Sequence, residues 1–385
     1  MTGVLTQLAA NPYPLYAQLR KLPNPGPNLV SHAEVREALS HPDLVVDKLN
    51  DLRRVLPAEL ADGALARTLR SILAFQEGDG HRRLRRVLAK RLVGKQIERQ
   101  QVVIEQFTSE LLDAVGAEGD VVQDLAHPLP AKVISNLLGI EWSHVDKLLA
   151  WSDTLVRIMS AGAIEPATAQ LWEQQMADMR ELIAELVRDR QRTPRPDLIS
   201  ALLEMGEDTL SFDELAANVL FMVTAGHETS TDLLASAILT LLRHPEQLAA
   251  LRADPGLIDG AVEEVFRYES PLQNVGRVPR VDVTIGGRVL REGRLVNLLI
   301  GAANRDPAVF EEPDAFDITR DPNPHLGFGH GAHFCLGAGL ARLEARVALP
   351  MVLARFPRLE LLEQDVPWRS APGFRGPARV PVRWT

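Results

Sequence analysis

The lone cysteine of the chain lies inside a glycine-rich stretch, FGHGAHFCLG at residues 328–337. Cys335 is followed by the helical pattern LARLEARVAL, so its sulfur is predicted to face the first backbone N–H groups of a helix, which favour a thiolate. The glycines let the backbone turn sharply and approach a flat, bulky group. A lone cysteine is more often a small buried apolar residue. One thiolate cannot complete a tetrahedral zinc site, but it can be the sole axial protein ligand of a haem, and the glycine-rich surroundings favour this second interpretation.

A second chemical group interrupts an otherwise apolar helix. Ser211 and Glu214 have the spacing of a capping box, and Arg243-His244-Pro245 marks the other end. Between these ends, residues 226–232 read GHETSTD where a purely structural helix would carry leucines. These residues could face water on an exposed turn. A carboxylate beside a hydroxyl, as in Glu228-Thr229, is also suited to passing protons into a dry pocket, and the apolar flanks favour this function.

The elements that must position these groups are mainly helices. Apolar residues recur every three or four positions over residues 81–268. Strand signals are few and come late, where β-branched runs flank Gly286-Gly287 and Glu292-Gly293 in the pattern of two hairpin-like turns. The final ARVPVRWT could add an edge strand. We therefore predict a single, mainly α unit over residues 1–385 with small β-sheets.

Composition limits the classes of partner. With 51 acidic and 42 basic residues the net charge is −9, which argues against nucleic acid as the main partner. One cysteine excludes an internal disulfide framework and favours a reducing compartment. The N-terminus lacks the pattern of a secretory signal, and no run of 18 uncharged apolar residues occurs. We expect a soluble cytoplasmic protein that does not bind a membrane.

The cysteine stretch resembles the haem-binding loop of the cytochrome P450 family, in which a phenylalanine, glycines and a basic residue precede the ligand cysteine at this spacing. The resemblance implies that Cys335 ligates the iron of haem b and that His333 binds a haem propionate. It also implies that the rest of the loop surrounds the cofactor, through Phe328, Gly331 and Gly337.

Further motifs occur in the family's order. The resemblance also touches NPYPLYAQLR near the start, DLISALL at 197–203 and ANRDPAVF at 303–310, so it covers essentially the whole chain. Residues 225–229, which begin with Ala225 and Gly226, resemble the oxygen-activating motif, with Glu228 and Thr229 as its acid and alcohol. Glu264 and Arg267 match the family's Glu-x-x-Arg pair. The resemblance implies a single, mainly α haem domain with small β-sheets.

Three other residues resemble the family's propionate-binding positions. His81 and Arg85 match a His-x-x-x-Arg element, and Arg277 lies where similar bacterial sequences place an arginine. The role is chemically reasonable, because the two carboxylates of a haem need cationic donors. The alternative for each residue is a solvated surface charge.

The sequence also departs from the family pattern. Ala315, in PDAF, stands where an arginine is common, so the third partner of the Glu264 and Arg267 pair is expected to be missing or replaced by a nearby side chain or water. Pro350 lies where a helix would continue and should kink or end it. The approach to His81, FQEGDGH, lacks the family's usual prolines.

The resemblance implies a monooxygenase that uses O2 to hydroxylate or epoxidise a largely apolar small molecule, with Glu228 and Thr229 delivering protons. Electrons must come from outside, because the chain has no dinucleotide fingerprint after a strand. A separate ferredoxin and an NAD(P)H-dependent ferredoxin reductase would supply them. The basic run HRRLRRVLAKR at residues 81–91 would dock an acidic ferredoxin, unless it is a solvated face or a nucleic-acid patch. Bacterial members of the family often modify specialised metabolites, and we expect such a substrate. A peroxide-driven peroxygenase and a non-catalytic haem sensor remain as alternatives.

Overall fold

The computed structural model describes residues 11–46, 60, 62–90, 92, 94–160, 165–204, 210–369 and 373–385. Within these ranges the chain is mainly helical, as predicted. The α-helices are α1 (Tyr13–Lys21), α2 (His32–Ser40), α3 (Ala64–Ser71), α4 (Gly78–Ala89), α5 (Lys95–Glu98), α6 (Gln100–Ala114), α7 (Pro128–Leu138), α8 (Val145–Ser160), α9 (Pro166–Arg192), α10 (Leu198–Leu203), α11 (Phe212–Arg243), α12 (Pro245–Ala253), α13 (Ile258–Tyr268), α14 (Ile300–Ala303) and α15 (Ala338–Arg355). None of the helices in the described ranges is long and apolar enough to cross a membrane.

The strands are short and form small sheets. They are β1 (Asn28–Leu29), β2 (Leu44–Val45), β3 (Glu118–Asp120), β4 (Val275–Pro279), β5 (Val283–Ile285), β6 (Arg288–Leu290), β7 (Val296–Leu298), β8 (Glu360–Leu361) and β9 (Pro381–Arg383). A four-stranded sheet has the order β1-β7-β4-β2, and only its β1–β7 pair is parallel. A three-stranded sheet has the order β3-β9-β8, and β5 pairs with β6.

The predicted turns are present, but only one of them closes a hairpin. Gly286 and Gly287 have φ of 55° and 76°, the left-handed pair that a two-residue hairpin turn requires, and they join β5 to β6. Gly293 also has a positive φ, 68°, but the strand after it, β7, pairs with β4 and β1 rather than with β6. The hairpin predicted at Glu292-Gly293 is therefore wrong. The C-terminal strand is also not an edge, because β9 lies between β3 and β8.

Backbone contacts divide the described residues into two compact units. The first lies within residues 1–45, 101–130 and 228–385 and contains all the strands given above. One of its apolar clusters joins α2 to the sheets through Val35, Leu39, Ile285 and Leu298. The second unit lies within residues 46–100 and 131–227 and consists of helices and their connections. The single-domain organisation over residues 1–385 stays a prediction.

Helix α11 begins and ends where the sequence predicts. The Ser211 backbone N–H donates to Glu214 Oε2 at 2.9 Å, and the Glu214 N–H donates to Ser211 Oγ at 3.2 Å, which completes the capping box. The helix ends at Arg243, before His244-Pro245. The boundary between the two units falls within this helix, between His227 and Glu228.

Pro350 does not end its helix. Helix α15 runs from Ala338 through Pro350 to Arg355. The ring removes one backbone donor, but the flanking buried residues Ala348, Leu349 and Val352 keep the segment packed. Packing therefore outweighs the local preference of proline to end a helix.

Candidate active site

The cysteine stretch forms a tight loop that is closed by its own backbone. The Cys335 N–H donates to the Phe328 carbonyl at 2.9 Å, and the Phe334 N–H donates to the Gly331 carbonyl at 3.1 Å. Gly329 and Gly331 have φ of 72° and 73°, a region that side-chain-bearing residues rarely adopt. Cys335, at the end of this loop, is exposed.

The sulfur lies at the start of helix α15, as the sequence predicts. Gly337 is the residue immediately before the helix. A Cβ atom at Gly337 would lie 4.0 Å from Cys335 Sγ, which places the sulfur beside the helix N-terminus. The unsatisfied N–H groups and the positive end of the helix dipole stabilise a negative charge there.

Phe328 anchors the loop to helix α13. Its ring lies 4.1 Å from the ring of Phe266, centroid to centroid, and the Arg342 guanidinium stacks over it at 4.3 Å. Arg342 donates to both Glu263 oxygens, at 2.6 and 2.7 Å. Burial raises the pKa of Glu263, but the hydrogen bonds from Arg342 and His325 outweigh burial and hold the pKa at about 2. The ion pair therefore stays charged at neutral pH and keeps the loop in place.

Two of the predicted propionate donors, His333 and Arg277, lie in the first unit, His333 in a short turn and Arg277 on a strand. Gly331–His333 form a 3-10 turn against α2, where a Cβ at Gly331 would lie 3.1 Å from the Leu39 carbonyl oxygen. His333 is half-buried. Arg277 lies on β4 and is buried, 6% exposed, and its Nη1 donates to the Gly276 carbonyl at 2.9 Å. Arg277 is therefore not a solvated surface charge.

The acid and alcohol of the predicted proton-delivery motif lie next to each other on α11. Glu228 is 5% exposed and hydrogen-bonds Arg369 Nη2, while Thr229 is half-buried. One turn further, Asp232 is 1% exposed, with its Oδ1 atom 3.4 Å from Arg369 Nη1. Burial raises the pKa of Asp232 to about 7. The interpretation of this segment as a water-facing turn is wrong for both carboxylates.

One buried carboxyl group beside this motif was not identified from the sequence. Glu344 on α15 is 2% exposed and hydrogen-bonds Ser230. Burial raises its pKa to about 8, although the Ser230 hydrogen bond lowers it. A sequence signal existed, because Glu344 is spaced four residues from both Leu340 and Ala348, on the apolar face of its helix.

In the second unit, the predicted basic element lies on α4. His81 is 3% exposed, and Arg85, four residues on and therefore on the same face, is half-buried. The basic run is not entirely available to a partner, because Arg82 pairs with Asp79 and Arg83 pairs with Glu214. Its last member, residue 91, lies outside the described residues.

Ala225 and Gly226 lie on the part of α11 that belongs to the second unit, and both are half-buried. A Cβ at Gly226 would lie 3.4 Å from Ile134 Cδ1 on α7. This is an ordinary van der Waals distance, so packing against α7 does not by itself require a glycine at this position. Contact of these two residues with a cofactor stays a prediction.

The Glu264 and Arg267 pair is fully buried and has a third partner. Arg267 donates to both Glu264 oxygens, at 2.7 and 2.8 Å, and to the Ala315 carbonyl at 2.7 Å. The Arg320 guanidinium lies 3.4 Å from Glu264. Arg320 thus supplies the cation that Ala315 cannot, so the third partner is replaced rather than missing.

Comparison with known proteins decides the family. A family model described as Cytochrome P450 matches residues 1–255 and 256–379. The chain belongs to the cytochrome P450 family. This P450 is 35% identical over 403 residues to cytochrome P450 monooxygenase PikC of Streptomyces venezuelae, covering 99% of this chain and 93% of that one. It is 39% identical over 310 residues to 6-deoxyerythronolide B hydroxylase of Saccharopolyspora erythraea, covering 79% and 75%.

A solved structure of similar fold is P450BioI in complex with an acyl carrier protein ligated to hexadec-9Z-enoic acid. The two folds superimpose with a TM-score of 0.91 at 35% identity, covering 99% of this chain and 100% of that chain. The predicted fold class is confirmed. This P450 is a haem monooxygenase of the bacterial group, which acts on small molecules with O2.

The side chains described above fit a haem. Its iron needs one soft axial donor, and the exposed Cys335 sulfur at a helix N-terminus has that chemistry. Its two propionates need cations, and the buried Arg277 guanidinium is suited to a carboxylate.

Proposed function

We propose that this P450 hydroxylates or epoxidises a largely apolar specialised metabolite, using haem b and electrons from a separate ferredoxin and its NAD(P)H-dependent reductase. The observation that carries the proposal is the Glu228-Thr229 pair, a buried carboxylate beside a half-buried hydroxyl in an apolar helix. A protein that only bound haem would not need to bury an acid at this position, since burial costs free energy.

The residue roles follow from the family motifs and the side-chain chemistry. Cys335 would be the axial ligand of the iron, and its thiolate would be stabilised by the N-terminus of α15. The propionates would accept hydrogen bonds from His81, Arg85, Arg277 and His333. The loop and helix surfaces around the cofactor would come from Phe328, Gly331, Gly337, Ala225 and Gly226.

When bound, the haem supplies the redox chemistry that places one oxygen atom of O2 in the substrate and releases the other as water, consuming two electrons and two protons. The protein must supply those protons without admitting bulk water to the site. Thr229 would hold a proton donor in hydrogen-bonding reach, and Glu228 would relay protons from solvent to it. Buried placement of Glu228 limits the entry of bulk water.

The relatives support the substrate class. The name of 6-deoxyerythronolide B hydroxylase states an oxygenation, and P450BioI is solved with a fatty acyl chain on a carrier protein. Both suggest a largely apolar substrate, free or carrier-bound, for this P450. The electron source is supported by the exposed Arg86 of α4, which would attract an acidic ferredoxin. A single cysteine in 385 residues is consistent with a cytoplasmic location.

Reconstitution with ferredoxin, reductase and NADPH tests the proposal. Candidate substrates are first selected from macrolactones, fatty acids and acyl carrier conjugates by their shift of the haem spectrum. We then expect Thr229→Ala and Glu228→Gln to keep consuming NADPH but to release hydrogen peroxide in place of product. Thr240→Ala, the same kind of substitution further along α11, is the matched control and should stay coupled.

The alternatives give different results. Equal turnover with hydrogen peroxide and no electron donor would identify a peroxygenase. Spectral shifts without product from any member of the panel would identify a binding or sensor protein. An unchanged ratio of product to NADPH in both variants would remove Glu228 and Thr229 from proton delivery.

A further inference from the structure

Two buried carboxylates on α11 share one guanidinium group. Glu228 and Asp232 are four residues apart, which places them on the same helix face. Arg369 hydrogen-bonds Glu228 through Nη2 and lies 3.4 Å from Asp232 Oδ1 through Nη1. One cation therefore faces two acids, and it bonds Glu228 more closely.

Asp232 lies in surroundings that favour its proton. No donor among the described residues hydrogen-bonds either of its carboxyl oxygens. The Gly376 backbone packs directly on them, since a Cβ at Gly376 would lie 2.0 Å from Oδ1. Burial raises the pKa of Asp232 to about 7; Arg369 and Arg375 lower it, and the Glu228 charge raises it further. The group thus changes its charge near neutral pH.

The other cation near Asp232 is held elsewhere. Arg375 lies on the same C-terminal segment as Arg369, but its Nε atom donates to Glu269 at 2.7 Å. Arg375 also stacks on Trp368 at 3.7 Å. The charged groups that face Asp232 from α11 and from this segment are therefore Glu228, Arg369 and a fixed Arg375. Of the two arginines, Arg369 is the one whose guanidinium pairs with both carboxylates.

The backbone beneath Arg369 is fixed, so a response must come from its side chain. The Arg369 N–H donates to the Gly376 carbonyl at 2.9 Å, and Trp368 pairs with Pro377 in an antiparallel bridge. The Arg369 side chain is 26% exposed, which leaves room for it to rotate. A small rotation would move its hydrogen bond from Glu228 to Asp232, one helical turn away.

We propose that Asp232 is a positioning residue for Glu228 that acts through their shared counter-ion, Arg369. The charge on Asp232 decides whether Glu228 keeps its hydrogen bond to Arg369 or loses it and can relay protons. This inference rests on the proposed function, in which Glu228 relays protons. With Asp232 neutral, Glu228 is the only anion of the pair and holds Arg369. With Asp232 ionised, Arg369 is drawn toward the second carboxylate and its bond to Glu228 loosens. The proton that Asp232 gains or loses exchanges with solvent.

Three variants separate these states. We expect product formed per NADPH to rise in the wild type with the ionised fraction of Asp232, which changes about tenfold from one pH unit below its pKa to one unit above it. In Asp232→Asn the ratio should stay at the low-pH value at every pH. In Arg369→Gln, which removes the guanidinium that bonds Glu228, the product formed per NADPH should stay at the high-pH value. Asp213→Asn, the same substitution in another carboxylate–arginine pair of α11, is the matched control and should keep the wild-type profile.

An infrared titration of the resting protein gives a readout that does not depend on turnover. The carbonyl band of a protonated carboxylic acid should disappear in the wild type as pH rises through about 7. It should be missing in Asp232→Asn and should persist to higher pH in Arg369→Gln, because Arg369 lowers the pKa of Asp232. Glu344→Gln identifies the separate band of Glu344, whose pKa is about 8.

The outcomes distinguish this inference from the proposed function. If Asp232→Asn keeps the wild-type pH step, or Arg369→Gln gives the low ratio, Asp232 does not position Glu228 through Arg369. If Glu228→Gln stays fully coupled, the proposed role of Glu228 fails instead. If Asp232→Asn unfolds, Arg369→Gln and the infrared titration still decide, since a band that does not titrate near pH 7 would overturn the proposal.

Discussion

Replacing Glu344 by glutamine should stabilise this P450 at alkaline pH. The group is buried on α15, and burial raises its pKa from 4.5 to about 8. An acid whose pKa is higher in the folded than in the unfolded state contributes most to the stability of the protein below pH 4.5, where it is protonated in both states. Its contribution falls as pH rises, until the folded protein has also lost the proton. The ionised side chain then stays buried at full cost. Glutamine keeps the shape and the Ser230 hydrogen bond but cannot ionise.

The magnitude follows from the shift. Each pKa unit corresponds to about 1.4 kcal/mol, so between about pH 6 and about pH 9 the wild type should lose about 2–3 kcal/mol more unfolding free energy than Glu344→Gln. Urea unfolding of both haem-loaded proteins at a series of pH values measures this difference. All other titrating groups cancel because they are common to both proteins.

Two controls sharpen the result. Glu292→Gln, at an exposed carboxylate, should give a curve parallel to the wild type. Ser230→Ala removes the hydrogen bond that lowers the pKa of Glu344 and should steepen the loss of stability between the two pH values. Parallel curves for wild type and Glu344→Gln over the whole range would refute the reasoning that a buried, protonated Glu344 is present.

Two further predictions concern the parts that hold the cysteine loop and its support. Arg320→Met should lower the unfolding free energy by about 1–3 kcal/mol in urea unfolding, because the fully buried Glu264 loses a charged partner. An unchanged midpoint would mean that Arg320 does not replace the missing arginine at Ala315. Gly331→Ala should cost about 1–2 kcal/mol, since φ is 73° and the new Cβ would lie 3.1 Å from the Leu39 carbonyl oxygen. The Gly331 variant should also lose haem faster to apomyoglobin than the wild type, and equal transfer rates would contradict this.

Local signals in the sequence were sufficient for several features. The capping box at Ser211 and the two-glycine turn at 286–287 depend on residues next to one another, so short-range hydrogen bonding and backbone preference determine them. The position of Cys335 at a helix start is local in the same way. These predictions did not need knowledge of the tertiary fold.

Features that depend on distant residues could not be predicted in this way. Arg369 and Glu228 are 141 positions apart in the sequence, and no local pattern near either residue predicts their contact. Arg320 replaces the arginine expected at Ala315 from five positions further along the chain. This replacement could be predicted only if the path of the intervening loop were known. The C-terminal strand became the middle of its sheet because β3 and β8 both pair with it. Pairing between strands that are distant in sequence is determined by tertiary contacts, which the local residue pattern does not specify.

The central claim is that Cys335 is the thiolate ligand of a haem. The most direct measurement is the absorption spectrum of the purified protein after reduction and exposure to carbon monoxide, beside Cys335→Ala and with Ser230→Ala as a control that keeps the thiol. We predict a strongly red-shifted Soret band in the wild type and the control, and its loss in Cys335→Ala. A wild-type spectrum without that band after haem reconstitution, or the same band in Cys335→Ala, would contradict the assignment.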